Sequence, residues 1–548
     1  MDISSSYAST ITIASLLGIL FLYRLTTKSK KVTVTMSNDL LKSMLNLIPE
    51  SNLLWSPPKA GSNSHSQASM FLVTHNNGFL PFHTITTTLP SAFSQLEEIL
   101  TNLPQLLKNS SPHALENVVL ELPILNVKNV TKDSSLFHAL LRDYSILSSA
   151  FIIEGKIKQG KPRTLVPPQI SEPLFELAKA ADLPTIMEYS SYCLGNSVCQ
   201  SKLTMSNEWD SLCLVRALDG GPGEATFIII HAEIESHCGN LVQAFSELFL
   251  YLRRAYSDSN DASINAVISA LNKIKTITNK MLVSQLKMFN ACNPKDYISL
   301  VRPWIFGWNT SNSDFPHGVT FQFQDGKSIT NKLRGETGAQ STLIPSLDIV
   351  LDIHHSQDEL RVMLKELEAY RPSTHRQFLH QLRSICYGPG NEETLSSLSP
   401  HLLRYFINQN LNNTKLVRAF NDCIGNVWAF RAIHVVFAEV YISRFTDLTT
   451  ATGGTPYKKY LAKHRTESGS AMIFGQDGSL SQPEFYKPSE DEAKADLDNI
   501  FTDNTQGIPK YLLQRHAKII SHYGTTTSGE FKKGLKCKCF PSQWARFV

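Results

Sequence analysis

The amino-acid sequence predicts a mainly α-helical protein, with a large all-helical domain following a smaller N-terminal domain of mixed structure. Three observations carry this. Beyond residue 201, apolar residues recur at helical spacing over long runs with few breakers, such as 262–292 and 413–445. No dominant alternation of apolar and polar residues appears there, so long solvated strands are not expected. Before residue 200 the runs are shorter and cut by Pro90 and Pro104, which mixes helix with loop. At 548 residues, 42% apolar and 18% charged, the chain is long enough to bury a large core and to divide into domains.

The elements follow in order. Residues 10–23 (TITIASLLGILFLY) form a short apolar run with Asp2 before it and Arg24, Lys28, Lys30 and Lys31 after it. A span needs about 20 apolar residues, so this run is short, and threonines and a serine interrupt it. Basic residues on its far side favour an uncleaved anchor within 1–31 that leaves the next domain facing the cytoplasm, over a cleaved signal or a docked tail. Residues 32–200 comprise a linker and the small domain, with helices at 89–109 and from Leu136, while ALENVVLELPIL reads as strand or helix. Within 201–525 the expected helices are 227–250, 262–292, 343–354, 358–368, 413–445 and a short one at 456–465, with a polar loop at 468–504. Residues 526–548 are a basic tail that carries two cysteines.

Charge and cysteine usage narrow the function classes. The net charge of +4, from 52 basic and 48 acidic residues, supplies no global field to draw in nucleic acid. Nine cysteines without a C-x-x-C pair argue against a disulfide framework or a four-cysteine zinc site and fit a reducing compartment.

Five segments carry chemistry. His434 sits in an apolar helix with Arg431 one turn before it. Such a histidine is either a core residue or an axial haem ligand, and the arginine needs a carboxylate or an anionic ligand group. His231 and Glu235 share one face of a helix opened by Phe227. H-x-E is half of a zinc deaminase signature, but P-C-x-x-C and H-E-x-x-H are both absent from the sequence. Arg302, in YISLVRPWIFGW, is suited either to holding a carboxylate or to a structural ion pair. The segment 334–342 (RGETGAQST) offers glycines and hydroxyls ahead of a helix with Asp348, without a P-loop ending. TGGT at 452–455 is either a connector or a lid.

In order and spacing, these segments resemble the indoleamine 2,3-dioxygenase family of haem enzymes in its fungal type. RGETGAQSTLIPSLDIVLDI resembles the G-G-S-A-G-Q-S-S signature and the helix after it, and LKELEAYRPSTHRQFL resembles the second signature. LVRPWIFGW, FRAIHVVF and ATGGT resemble the distal-arginine segment, the proximal-histidine helix and the glycine-rich loop. The resemblance spans roughly 180–465. It implies a haem b cofactor with O2 as co-substrate, held by His434 as the iron ligand. It also implies Arg431 and Asp348 as an ion pair beside a propionate, and Thr337 and Gly338 as the loop beside the haem. On the substrate side it implies Arg302 for the carboxylate of L-tryptophan or a related indoleamine. Phe227 and Tyr297 would then lie over the distal face, Tyr189 in the indole pocket, Thr452 in the closing loop, and His231 at a distal position. The implied reaction opens the indole ring to N-formylkynurenine, the entry to the kynurenine route, in a monomer.

Some positions depart from the family pattern. His231 stands where mammalian members carry serine and fungal-type members often carry histidine. Tyr297 stands for phenylalanine, Glu336 for glycine and Tyr192 for a pocket cysteine. These departures motivate a rival reading, a membrane-tethered haem-binding or sensing paralogue with low or altered activity. A second rival is a helical scaffold without haem.

Overall fold

The computed structural model describes residues 36–49, 70–132, 134–199, 212–258, 260–309, 314–390, 400–447, 450–454 and 456–473. The apolar run 10–23, nearly all of the expected loop 468–504 and the basic tail 526–548 lie outside these residues. Helices dominate, as expected. The principal ones are α1 (Asn38–Asn46), α2 (Ser135–Gln159), α3 (Pro168–Ala181), α4 (Pro222–Ser236), α5 (Cys238–Ser257), α6 (Asp261–Leu286), α7 (Leu343–Val350), α8 (Ser373–Tyr387), α9 (Thr414–Ala438) and α10 (Tyr457–Ser470). The strands are short: β1 (Leu165–Val166), β2 (Ser197–Cys199), β3 (Leu212–Leu214), β4 (Val319–Gln322) and β5 (Ser328–Asn331). β1 pairs in parallel with β4, which pairs antiparallel with β5, while β2 and β3 form a separate antiparallel pair.

Local chemistry explains the helix ends. Ser134 caps α2 by accepting from the Phe137 amide, and Gly160 ends it with a left-handed φ of +78°. Asn260 and Ser263 close a capping box at the start of α6. The ambiguous segment near 114 is helical over Ala114–Glu121.

The helix expected over 227–250 is instead two, broken at His237. A loop wedges into the break: a Cβ on Gly78 would lie 2.5 Å from the Cys238 carbonyl carbon, and one on Gly239 would lie 2.6 Å from the His75 carbonyl oxygen. Proximity of residues so distant in sequence leaves no periodicity signal. Three helices also end in, or are preceded by, single wide π turns: Ser190–Leu194, Tyr297–Val301 and Glu439–Ser443, the last at the end of α9.

Two large apolar cores form among the described residues, beside a small cluster of Leu282, Leu286 and Ile433. One gathers α2, α3, Trp304–Phe321 and Leu360–Tyr370, and the other gathers α1 and α5–α9. α4 runs along their seam. Its Ile228 belongs to the first core, Ile230 and Ile234 to the second, and Phe227 packs against both.

Candidate active site

Two helices face each other across the site. On α4, the ring of His231 lies 4.5 Å from that of Phe227, between centroids, and 5.7 Å from that of Tyr189. Phe227 in turn lies 5.4 Å from Tyr297. The Nδ1 of His231 is 2.7 Å from the Phe227 carbonyl oxygen. A carbonyl can only accept, so Nδ1 carries the proton. Burial pushes the His231 pKa down, more than the carbonyl raises it, so the ring is neutral and Nε2 presents a lone pair.

α9 forms the opposite wall and changes character along its length. Up to Val427 it is packed on α6, with Asn426 Nδ2 donating to Thr278 Oγ1 at 2.8 Å. From Trp428 to Phe437 the residues apart from Arg431 and His434 remain apolar, yet only Ile433 is buried. His434 lies in this stretch and its ring surface is exposed. Its pKa nevertheless falls to about 4 through burial, with the charges of His231 and Arg431 adding to the effect. A ring that is desolvated and still accessible faces an internal space, not bulk water. Among the described residues it has no hydrogen-bond partner. The charge of His231 reaches His434, so the two imidazoles border the same space.

The residues fit a haem. A neutral imidazole without a partner, set in a half-exposed apolar wall, is the donor such a group requires. Gly338 lines the far side: a Cβ there would meet only His231 Nε2, at 3.9 Å. Thr337 precedes it and caps the short turn Gly338–Gln340. At one end of the wall Arg431 forms a two-pronged ion pair with Asp348, at 2.9 and 2.6 Å, and donates to Ser468 Oγ at 2.7 Å. Burial raises the Asp348 carboxyl, but Arg431 and His355 more than reverse this and hold it well below the usual range.

Arg302 is 2% exposed, and no carboxylate among the described residues pairs with it. Its Nη2 donates to the Thr450 carbonyl at 2.9 Å, its guanidinium lies 4.5 Å from the centre of the Phe306 ring, and its Nε has no acceptor. The structural ion pair that the sequence allowed is therefore not what holds it. The loop 450–454 closes the same corner: Thr452 Oγ1 donates to the Glu336 carbonyl at 2.6 Å, and Arg334 Nη1 donates to the Gly453 carbonyl at 2.9 Å. Gly307 and Gly335 let the two segments beneath cross, since a Cβ on Gly307 would lie 2.1 Å from the Gly335 nitrogen.

Of the residues singled out in the sequence, the contacts bring together Tyr189, Phe227, His231, Tyr297 and Gly338, set Arg302 against the loop of Thr452, and pair Arg431 with Asp348. Tyr189 reaches it with its ring, while its hydroxyl donates to Glu235 at 3.1 Å and its backbone N–H to Gln340. Two groups were not anticipated. His355 bridges Asp348 and Glu467, at 3.3 and 2.9 Å, and stacks on His464 at 4.0 Å between centroids. Its only sequence signal is its position just after the Asp348 helix. The second is the burial of the Glu336 side chain, which is 1% exposed.

Comparison with known proteins identifies the family. The family model for indoleamine 2,3-dioxygenase matches residues 67–476. The indoleamine 2,3-dioxygenase of Saccharomyces cerevisiae is 26% identical over 387 residues, covering 68% of this chain and 79% of that protein. The 6-hydroxytryptophan 2,3-dioxygenase of Fusarium equiseti is 27% identical over 373 residues, covering 68% and 83% respectively. Indoleamine 2,3-dioxygenase 1 of Mus musculus is 24% identical over 362 residues, covering 65% and 80%.

Proposed function

Because the chain belongs to the indoleamine 2,3-dioxygenase family of haem-dependent, O2-using dioxygenases, we propose that it opens the indole ring of L-tryptophan or a related indoleamine, giving N-formylkynurenine or its substituted counterpart. The Fusarium relative is named for 6-hydroxytryptophan, so the substrate class extends to ring-hydroxylated tryptophan. The observation that carries this reading is Arg302, a buried cation without an acid partner among the described residues and with an unused Nε–H, directly after the turn that carries Tyr297.

His434 would hold the haem iron through its neutral imidazole, with the Arg431–Asp348 pair at the rim fixing α9 against α7. Bound haem supplies the oxygen activation that no side chain here offers. The side chains bind and orient. Arg302 takes the amino-acid carboxylate, where pairing relieves the desolvation that lowers its own pKa. Phe227 and Tyr297 form the aromatic wall for the indole. His231 accepts the indole N–H at Nε2; in its neutral form it has no proton to donate there. The Thr450–Gly454 loop, bonded to Arg302 and Glu336, covers the carboxylate end and keeps water out.

The test is to incubate the haem-loaded protein with L-tryptophan, O2 and a reductant and follow N-formylkynurenine by mass spectrometry. Many turnovers per haem are expected. Protein that shows a Soret band but forms no ring-opened product from any tryptophan would overturn the reading.

A further inference from the structure

We infer that Glu336 is a specificity residue: its buried carboxyl hydrogen-bonds a hydroxyl on the benzo ring of the substrate, which makes a ring-hydroxylated tryptophan the preferred substrate class. This rests on the proposed reading of the cavity as an indole site.

The position of Glu336 is defined at both ends. Its backbone carbonyl receives the Thr452 hydroxyl, and two residues later Gly338 faces His231 Nε2. Its side chain turns inward. Oε1 lies 3.6 Å from Cys193 Sγ, in the π turn that follows Tyr189, and Oε2 is buried without a partner among the described residues. The carboxyl lies close enough to Tyr189, Tyr192 and Tyr297 for its charge to raise their pKa values. Of these, Tyr189 lies 5.7 Å from His231 and Tyr297 lies 5.4 Å from Phe227 between ring centroids, so the carboxyl is buried behind the aromatic wall. Arg302 is not among the groups that shift it; those are burial, Cys193 and Glu188. Arg302 rests on the Thr450 carbonyl and the Phe306 ring, whereas the Glu336 carboxyl meets Cys193, so the carboxylate end of the substrate and Glu336 are served by different side chains.

The neighbouring polar groups are already engaged. The Tyr189 hydroxyl donates to Glu235 and the Tyr192 hydroxyl to Glu224, at 2.9 Å, while Ser190 and Ser191 both donate to Glu188. Burial, with repulsion from Glu188, lifts the Glu336 carboxyl to about 8 despite the Cys193 contact, so at neutral pH it is an acid with a proton to donate. A fully buried donor without an acceptor is an unfavourable arrangement that a ligand group can relieve. A phenolic hydroxyl both donates and accepts, and so complements a neutral carboxyl. Unsubstituted tryptophan leaves the carboxyl unpaired, and a site with an unpaired buried polar group rejects the ligand that lacks its counterpart.

The experiment measures equilibrium binding of L-tryptophan, 5-hydroxytryptophan and 6-hydroxytryptophan to the haem-loaded protein by calorimetry. It uses the natural protein, Glu336→Gln and Glu336→Gly, with far-UV circular dichroism and the Soret band as checks on folding and loading. The natural protein is expected to bind at least one hydroxylated tryptophan about tenfold more tightly than tryptophan. Glu336→Gly is expected to abolish or invert that ratio, and Glu336→Gln to retain part of it. A ratio unchanged in the glycine variant, or no preference in the natural protein, overturns the inference and leaves the proposed function standing. Binding of no tryptophan at all by loaded protein overturns both.

Discussion

The hydroxyl of Thr452 donates to the backbone carbonyl of Glu336 across 2.6 Å, and this bond ties the glycine-rich loop to the segment that lines the aromatic side of the cavity. Thr452→Val keeps the shape and removes the donor. One such bond is worth about 1 kcal/mol, so KM for the amino acid is expected to rise about fivefold, with the Soret band unchanged. Steady-state kinetics beside an absorption spectrum check this; a changed haem content with unchanged KM would contradict it.

His434→Ala removes the unpartnered imidazole from the wall of α9. Alanine favours helix, so far-UV circular dichroism is expected to be preserved while the Soret band disappears from protein produced with haem available. Retention of a normal Soret band would place the iron ligand elsewhere.

Asp348→Ala leaves the Arg431 guanidinium without its carboxylate, in a position where both side chains are largely shielded. Breaking a shielded pair from one side is expected to cost about 2–4 kcal/mol, read as a shift in denaturant midpoint. The double substitution Asp348→Leu with Arg431→Leu is expected to cost less than the sum of the two singles, because no charge is stranded.

His231→Ala tests the direction of a hydrogen bond. With Nδ1–H donating to the Phe227 carbonyl, Nε2 accepts. Methylation of the indole nitrogen is therefore expected to weaken binding to the natural protein about tenfold and to make little difference to the alanine variant. Equal penalties in both proteins would remove His231 from indole recognition.

Glu336 also makes stability depend on pH. Its carboxyl titrates near 8 in the folded protein against an ordinary value of 4.5, so the folded state holds the proton more tightly. Its contribution is fully present below about pH 4.5 and is lost as pH rises towards 8. In that window unfolding free energy falls by up to about 1.4 kcal/mol per pH unit from this group. Glu336→Gln is expected to flatten that slope in denaturant titrations between pH 5 and 8.

The helical character of the chain, the placing of Arg431 one turn before His434, and the candidate list were legible because each rests on local spacing. The fate of Arg302 was not: an ion pair and a ligand cation look alike in sequence, and only the lack of a nearby carboxylate among the described residues separates them. The break at His237 and the burial of Glu336 depend on residues far away in the chain, Gly78 in one case and Cys193 in the other. His355 became visible only when Asp348, Glu467 and His464 were seen around it.

The π turns have a consequence for how the site tolerates change. Each holds one residue more than an α-helical turn would, so deleting a residue within Tyr297–Val301 would close the turn to ordinary winding and re-aim the side chains inside it, while the chain on either side keeps its direction. Tyr297, which packs on Phe227, lies inside that turn and would be re-aimed, while Arg302 follows it. Ser190–Leu194 places Cys193 beside Glu336 under the same constraint. Around these turns chain length can vary by one residue without moving the flanking helices, and what such a change alters is the aim of the few side chains inside the turn.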